Sequence, residues 1–218
     1  MPLLKKGDPL LASSYRPVSQ RNITSKVLER AVFLQMSEYL EKNKLIHPNH
    51  HGGRQGHSTA TALIQMYDQW VEEVEKGKMV GVMLTDLSLA YDLVNFEILE
   101  QKLSLFGTNE QTLSWFSSYL QDRKQSTCVD GKTSPPLPLR QGLPQGSILS
   151  PLLYILYTSD VPDIPHSHPV NVSSPATYCQ ECGSTVSFMD DSTFSIGCES
   201  PEELNERLHT IRIQQDIL

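Results

Sequence analysis

The 218-residue sequence predicts an α+β fold, in which helices and strands alternate irregularly. Apolar side chains recur at helical spacing over residues 24–43, and a second such stripe follows Ser58. The run 79–87 is almost entirely apolar and ends in an acid, which predicts a buried central strand. Residues 184–197 have the pattern of a β-hairpin with two aspartates at its tip.

The two early helices are expected to bury their apolar stripes. Ser58 is a favourable helix N-cap, and Gly77 is a favourable stop for the second helix. The expected core faces are Leu28, Val32, Met36 and Leu40 in the first helix and Leu63, Met66, Tyr67, Trp70 and Val74 in the second.

Further elements follow from local start and stop signals. Helices are predicted after Asn95 and after Asn109, and a strand over residues 125–129. Residues 148–157 are predicted to be helical. The last helix begins at Ser200, where a serine cap is followed by proline and, three residues after the cap, by glutamate.

Composition indicates an ordinary globular protein, with 39% hydrophobic and 20% charged residues. No apolar stretch of about 18 residues is present, which predicts no membrane span. Four cysteines and no apolar leader favour an intracellular location, in the nucleus or cytoplasm.

The net charge of −7 is unusual for a protein that binds nucleic acid. Its distribution is uneven, however, since residues 1–30 carry six basic and two acidic side chains. A basic segment beside an acidic body suits a site that holds phosphates at one end and metal ions at the other.

Two acidic motifs follow predicted strands. Asp86 ends the apolar run, and Asp190 and Asp191 lie in the predicted hairpin. Because paired carboxylates repel one another unless a cation compensates, together they would form an oxygen-rich site for Mg²⁺. Taken singly, each aspartate is equally well explained as a turn or helix-cap residue.

A third segment, Leu139 to Pro151, reads as a flexible turn before an apolar helix. Gly142 and Gly146 allow the backbone to approach a ligand, and Gln145 offers both a donor and an acceptor.

The chain resembles the reverse transcriptase domain of non-LTR (LINE-like) retrotransposons from about residue 3 to about residue 210. Five motifs stand in the family's order: Lys5-Lys6-Gly7-Asp8 with Tyr15-Arg16-Pro17-Val18-Ser19; Gly52-Gly53-Arg54-Gln55-Gly56-His57-Ser58-Thr59; the Asp86 block; Leu143-Pro144-Gln145-Gly146-Ser147; and Phe188-Met189-Asp190-Asp191. Each alone is common, whereas all five in sequence are specific.

The resemblance implies the fingers and palm of a right-hand polymerase. Residues 1–78 would be fingers-like and residues 79–218 palm-like, with a His- and Cys-bearing loop over about 162–183. The palm would be a ferredoxin-like antiparallel sheet packed on helices. The chain ends soon after the Ser200 helix, so we expect no thumb and a C-terminally truncated domain.

The resemblance also implies residue roles. Asp86 and Asp190 would be the main ligands of two Mg²⁺ ions, or Mn²⁺ in their place, with the Leu87 carbonyl adding an oxygen and Asp191 supporting. Tyr91 would crowd a 2′-hydroxyl and so favour deoxynucleotides, although it is equally a core aromatic. The other implied contacts are Lys6 and Arg16 with the triphosphate, Gln145 and Gly146 with the nucleotide, and Arg54 with template or phosphate.

The loop before the hairpin contains a second, weaker pattern. His166 and His168 precede Cys179 and Cys182, which is a set of residue types that binds Zn²⁺. The alternative is free cysteines in a surface loop.

The predicted function is RNA-directed DNA synthesis on an RNA or DNA template with primer and dNTPs, without membrane association. One rival is a catalytically inactive nucleic-acid-binding remnant, and another is a small zinc-stabilised interaction module. The sequence does not indicate the oligomeric state.

Overall fold

The computed structural model describes residues 2–5, 7–87, 89–163 and 183–215. Contacts divide the chain into two compact units, which we call the first unit (Met1–Leu45 with Leu89–Tyr157) and the second unit (Ile46–Ser88 with Thr158–Leu218). The functional division into fingers-like and palm-like segments at residue 78 stays a prediction.

The helices of the described residues are α1 (Ile23–Lys42), α2 (Thr59–Glu75), α3 (Phe96–Leu105), α4 (Glu110–Leu120), α5 (Ser150–Tyr157) and α6 (Pro201–Gln215). The strands are β1 (Pro2–Leu4), β2 (Tyr15–Pro17), β3 (Met79–Asp86), β4 (Lys124–Gln125), β5 (Cys128–Val129), β6 (Lys132–Thr133), β7 (Leu137–Pro138), β8 (Ser184–Phe188) and β9 (Asp191–Cys198). The mixture of helix and sheet confirms the predicted class. Of the helices described, none is both long and apolar enough to cross a bilayer.

Helix starts are set by local capping. The side chains of Asn22, Asn95 and Asn109 each accept hydrogen bonds from backbone N–H groups in the first turn of α1, α3 and α4. At the start of α2, Ser58 and Thr61 form a reciprocal capping box. The predicted helices after Ser58, Asn95 and Asn109 are thereby confirmed.

The first unit is helical at its centre. Helix α5 is apolar on nearly every side, with Leu152, Leu153, Ile155 and Leu156 all buried, and it packs on α3. Strands β1 and β2 pair antiparallel at the start of this unit. The predicted strand over residues 125–129 is replaced by the short pairs β4–β7 and β5–β6.

The core face of α1 differs from the predicted one. Glu29, Met36 and Leu40 are buried, whereas Leu28 is 54% exposed. Successive residues of a helix are rotated by about 100°, so burial of position 29 in place of position 28 turns the Glu29 carboxylate toward the core. The prediction was right for Met36 and Leu40 and wrong for Leu28.

The predicted core face of α2 is wrong in part. Leu63 and Tyr67 are 62% and 65% exposed, and Val74 is exposed too, while Ala62 is buried. Helix α2 packs on the sheet, and its Glu73 lies so close to Gly197 of β9 that a side chain there would collide with it.

The second unit is built on the antiparallel sheet β3–β9–β8, against which α2 and α6 pack. In the described residues β3 pairs only with β9, and Gly81 is its one buried residue. The expectation of a buried central strand is therefore wrong, since hydrophobicity alone does not distinguish a central strand from an edge strand covered by helices. Gly81 admits the Leu204 side chain of α6, whose Cδ1 would lie 2.3 Å from an added Cβ.

Candidate active site

The three predicted catalytic aspartates meet at one end of the second unit's sheet. In the β3–β9 register, Asp86 lies directly opposite Asp191. Asp190 immediately precedes Asp191 in the turn between β8 and β9, and the Leu87 N–H lies 3.4 Å from the Asp190 carbonyl oxygen. Directly opposed residues of antiparallel strands have Cα atoms about 4.5–5.5 Å apart, so the backbone brings these acids together.

The turn itself is tight. Phe188 and Asp191 pair across it, which leaves only Met189 and Asp190 as the connecting residues. Met189 has a φ of 58°, in the left-handed region that a methionine rarely adopts. Backbone strain of this kind is found at functional sites, where the surrounding structure holds it in place.

The electrostatics of the cluster are those of repelling carboxylates. The pKa of Asp191 is raised, first by partial burial of its carboxyl group and then by the negative charges of Asp190 and Asp86. Carboxylate oxygens are the ligands that Mg²⁺ and Mn²⁺ prefer, so the donor chemistry suits such an ion. In the described part of the chain, no three His, Cys, Asp or Glu side chains are arranged as a ready-made chelating set.

A loop segment supports the acidic turn from the side. The His51 N–H donates to the Ser187 carbonyl (2.8 Å) and the Ser187 N–H donates to the Asn49 carbonyl (2.9 Å), which joins this segment to β8 by a parallel bridge. Gly52 then lies against the turn, where a Cβ would be 2.5 Å from the Met189 nitrogen. The loop is tied to α2 because the Gln65 amide donates to Asn49 and its oxygen accepts from His51.

The predicted nucleotide-pocket residues lie in the first unit. The Leu143 N–H donates to the Tyr91 carbonyl (2.7 Å), and the Gln145 amide nitrogen donates to the Asp92 carboxylate (3.1 and 3.2 Å). Gly146 has a φ of 102°, a conformation that requires glycine. The structure thus brings Tyr91, Gln145 and Gly146 together.

The Tyr91 ring is supported by the core. It stacks on the ring of buried Tyr154 in α5, with centroids 4.8 Å apart and an interplanar angle of 22°. The core-aromatic interpretation is therefore correct for one face of this half-buried side chain.

Comparison with protein families assigns the chain to one of them. A protein-family model described as reverse transcriptase (RNA-dependent DNA polymerase) matches residues 3–214. The chain belongs to the reverse transcriptase family. Members of this family use divalent metal ions, which agrees with the acidic cluster.

Curated relatives confirm the resemblance to non-LTR retrotransposon reverse transcriptases. The probable RNA-directed DNA polymerase from transposon BS of Drosophila melanogaster is 31% identical over 150 residues, covering 68% of this chain and 16% of that protein. The RNA-directed DNA polymerase from mobile element jockey of Drosophila funebris is 32% identical over 163 residues, covering 74% and 18%. This reverse transcriptase chain therefore spans less than a fifth of the length of either of these two relatives.

Solved structures support the fold. A telomerase structure from Candida tropicalis, truncated from its C-terminal domain, matches with a TM-score of 0.55 at 13% identity, over 88% of this chain and 40% of that one. A second, in complex with a fragment of telomeric RNA, matches with a TM-score of 0.59 at 15% identity, over 87% and 31%.

The other residues of the reverse transcriptase chain with predicted roles lie in different structural environments. Arg16 is exposed on β2. One guanidinium nitrogen of Arg54 donates to the carbonyls of His47 and His50 (3.0 Å each), so this arginine also braces its own loop. Lys6 lies outside the described residues, as do the predicted zinc ligands His166, His168, Cys179 and Cys182.

One buried cluster of this reverse transcriptase was not predicted. Glu29 is 1% exposed and contacts Arg21, Tyr119, Ser147 and the Ile148 N–H. The sequence did contain a signal for this cluster, because Glu29 stands at helical spacing from Met36 and Leu40. A charged side chain on an apolar helix face needs a buried partner.

Proposed function

We propose that the chain carries the polymerase centre of a retrotransposon RNA-directed DNA polymerase, which transfers nucleotides from dNTPs to a primer 3′-hydroxyl. The observation that carries this proposal is the register of β3 and β9, which sets Asp86 opposite Asp191 beside Asp190 in a chain of the reverse transcriptase family. The second unit's sheet would be the core of a ferredoxin-like palm, and the N-terminal segment would be part of the fingers.

Asp86 and Asp190 would hold the ions, with the Leu87 carbonyl as a further oxygen and Asp191 in support. Because Asp191 is exposed and Asp190 half-buried, these carboxylates have room to turn toward a shared cation. Two bound Mg²⁺ ions, or Mn²⁺, would stabilise the negative charge that develops on the phosphate. The pKa of Asp191 is raised first by burial and then by the charges of Asp190 and Asp86, and a bound cation would relieve that repulsion.

The remaining roles concern substrates. Tyr91 would exclude a 2′-hydroxyl, while Gln145 and Gly146 would contact the nucleotide. Arg16 and Lys6 would bind the triphosphate, and Arg54 the template or a phosphate. The partners would be an RNA or DNA template with primer, inside the cell, and Zn²⁺ binding by the cysteines and histidines of residues 166–182 is a separate proposal that metal analysis of the purified protein would test.

Primer extension tests the function. We expect the chain to extend a labelled DNA primer on an RNA template with Mg²⁺ and dNTPs, and Asp190→Asn to lower the rate roughly 100- to 1000-fold. The matched control Asp68→Asn changes an exposed aspartate of α2 and should retain the rate.

Extension that is equal in the wild type and Asp190→Asn would refute the catalytic assignment. No extension by either protein, together with retained binding of the primer–template, would instead identify a nucleic-acid-binding remnant.

A further inference from the structure

Glu29 is a buried acid with an unusually full set of hydrogen-bond donors. One carboxylate oxygen accepts from the Ser147 hydroxyl (2.9 Å) and the Ile148 N–H (2.8 Å). The other lies 3.0 Å from the Arg21 guanidinium and 3.3 Å from the Tyr119 hydroxyl. A buried carboxyl group is costly unless it is paired and hydrogen-bonded, and this set of partners meets both conditions.

The partners of Glu29 are themselves fixed. The Arg21 guanidinium donates to the Tyr119 hydroxyl (3.0 Å), and the guanidinium groups of Arg21 and Arg123 both lie 5.3 Å from the centre of the Tyr119 ring. The cluster thus joins α1, α4 and the turn before α5. It lies entirely within the first unit.

Glu29 acts on the turn that carries Gln145. The Ser147 hydroxyl that donates to Glu29 also accepts from the N–H groups of Leu149 and Ser150, at 3.1 and 3.3 Å. Through Ser147 and Ile148, the acid therefore fixes both the C-terminal end of the turn and the beginning of α5. On the other side, the Ser19 N–H donates to the Gln145 carbonyl (2.9 Å).

We propose that Glu29 is a positioning residue that, through Ser147 and Ile148, holds Gln145 and Gly146 in the conformation that receives the incoming nucleotide. This inference rests on the proposed function, because it assigns a consequence for nucleotide binding to a contact that is otherwise structural. Glu29 would touch neither nucleotide nor metal.

Glu29→Gln is the informative substitution because it keeps the shape and removes the charge. The Ile148 N–H and the Arg21 guanidinium are donors that cannot become acceptors. In either orientation, the amide NH₂ of the glutamine would face one of these donors. The turn should therefore lose order while α1 retains its remaining contacts.

The experiment measures KM for dNTP and kcat in primer extension, together with hydrogen exchange of residues 143–149. For Glu29→Gln we expect KM for dNTP to rise about tenfold, kcat to change less than about threefold, and exchange over residues 143–149 to accelerate. Glu38→Gln, an exposed acid of the same helix, is the matched control and should change none of these quantities.

A double-mutant cycle with Gln145→Ala separates positioning from general destabilisation. If Glu29 acts through Gln145, Glu29→Gln should raise KM far less in the Gln145→Ala background than in the wild type. An equal rise in both backgrounds, or an unchanged KM in Glu29→Gln, would overturn the inference while leaving the proposed function intact.

Failure of the proposed function has a different signature. A wild-type chain that does not extend the primer would remove the role in nucleotide binding. Accelerated hydrogen exchange over residues 143–149 in Glu29→Gln would then show that Glu29 stabilises the turn and has no role in nucleotide binding.

Discussion

His50 illustrates how one side chain is set by its surroundings. It is buried beside β8, and neither of its ring nitrogens has a hydrogen-bond partner among the described residues. Burial first, and then the nearby positive groups of Arg54, His47 and His51, together lower its pKa from 6.5 to about 4. The folded protein therefore holds this ring neutral at pH values where the unfolded chain would protonate it.

The pH dependence of stability follows from this lowered pKa. Above pH 6.5 the contribution of His50 is fully present, and it is lost as the pH falls toward about 4, because the unfolded state takes up the proton first. We expect the difference in unfolding free energy between the wild type and His50→Leu to change by about 2 kcal/mol between pH 7.5 and pH 5. Urea unfolding at both pH values measures it.

His209→Leu is the control for this measurement, because His209 is exposed on α6. A difference between wild type and His50→Leu that is independent of pH would contradict the assignment of a lowered pKa to His50.

At the scale of elements, the acidic hairpin depends on the loop beside it. Gly52 lies so close to Met189 that an added Cβ would be 2.5 Å from its nitrogen and 2.9 Å from its Cγ. Side-chain rotation of Met189 cannot relieve the first contact. The backbone of the turn would therefore have to move, and Asp190 with it.

We expect Gly52→Ala to lower primer extension on the order of 100-fold while the protein remains folded, because small displacements of catalytic groups have effects of this size. The rate of extension and the thermal unfolding midpoint should be measured together. Gly56→Ala serves as the control, because its Cβ would meet nothing, although its φ of 78° makes alanine there strained.

In that control we expect a lower unfolding midpoint with extension retained. If both variants lose extension in proportion to their stability, the contact between Gly52 and Met189 has no specific role.

The helices and strands also show which features of the fold could be predicted from the sequence. The starts of α2, α3 and α4 were predicted because Ser58, Asn95 and Asn109 act on backbone groups two or three residues away. The exposed faces of α2 and the edge position of β3 depend on partners distant in sequence, which periodicity does not report. The proximity of Asp86 to Asp190 and Asp191 was predicted because each stands in a short motif, and their catalytic role stays a prediction. Glu29 was missed because its partner Ser147 is 118 residues away.

At the scale of the molecule, charge is the dominant feature. The net charge is −7, yet the first 30 residues carry a surplus of cations. Arg21 is paired with Glu29 inside the first unit, while Lys5, Arg16, Lys26 and Arg30 are exposed. Phosphate binding by this segment would therefore involve only a few ion pairs.

The salt dependence of binding tests this view. We expect the logarithm of the affinity for a primer–template to fall with the logarithm of salt concentration with a slope no steeper than about −4. The reason is that about four cations lie outside the proposed triphosphate contacts, namely Lys5, Lys26, Arg30 and the proposed template contact Arg54. Lys26→Gln, an exposed lysine of α1, should make the slope shallower by about one, while Lys132→Gln, an exposed lysine of β6, should leave it unchanged. Fluorescence anisotropy titrations at KCl concentrations from about 50 to about 200 mM measure the slopes for the wild type and the two variants.

The bridge between the loop at Asn49–His51 and Ser187 has a further consequence for how the protein behaves in a crowded solution. Ser187 uses its outward N–H and C=O groups on the loop of its own chain. An outer strand whose backbone groups are unpaired invites a neighbouring copy to add a strand and begin aggregation. By filling that position next to the acidic turn, the loop keeps this end of β8 from acting as a template for self-association.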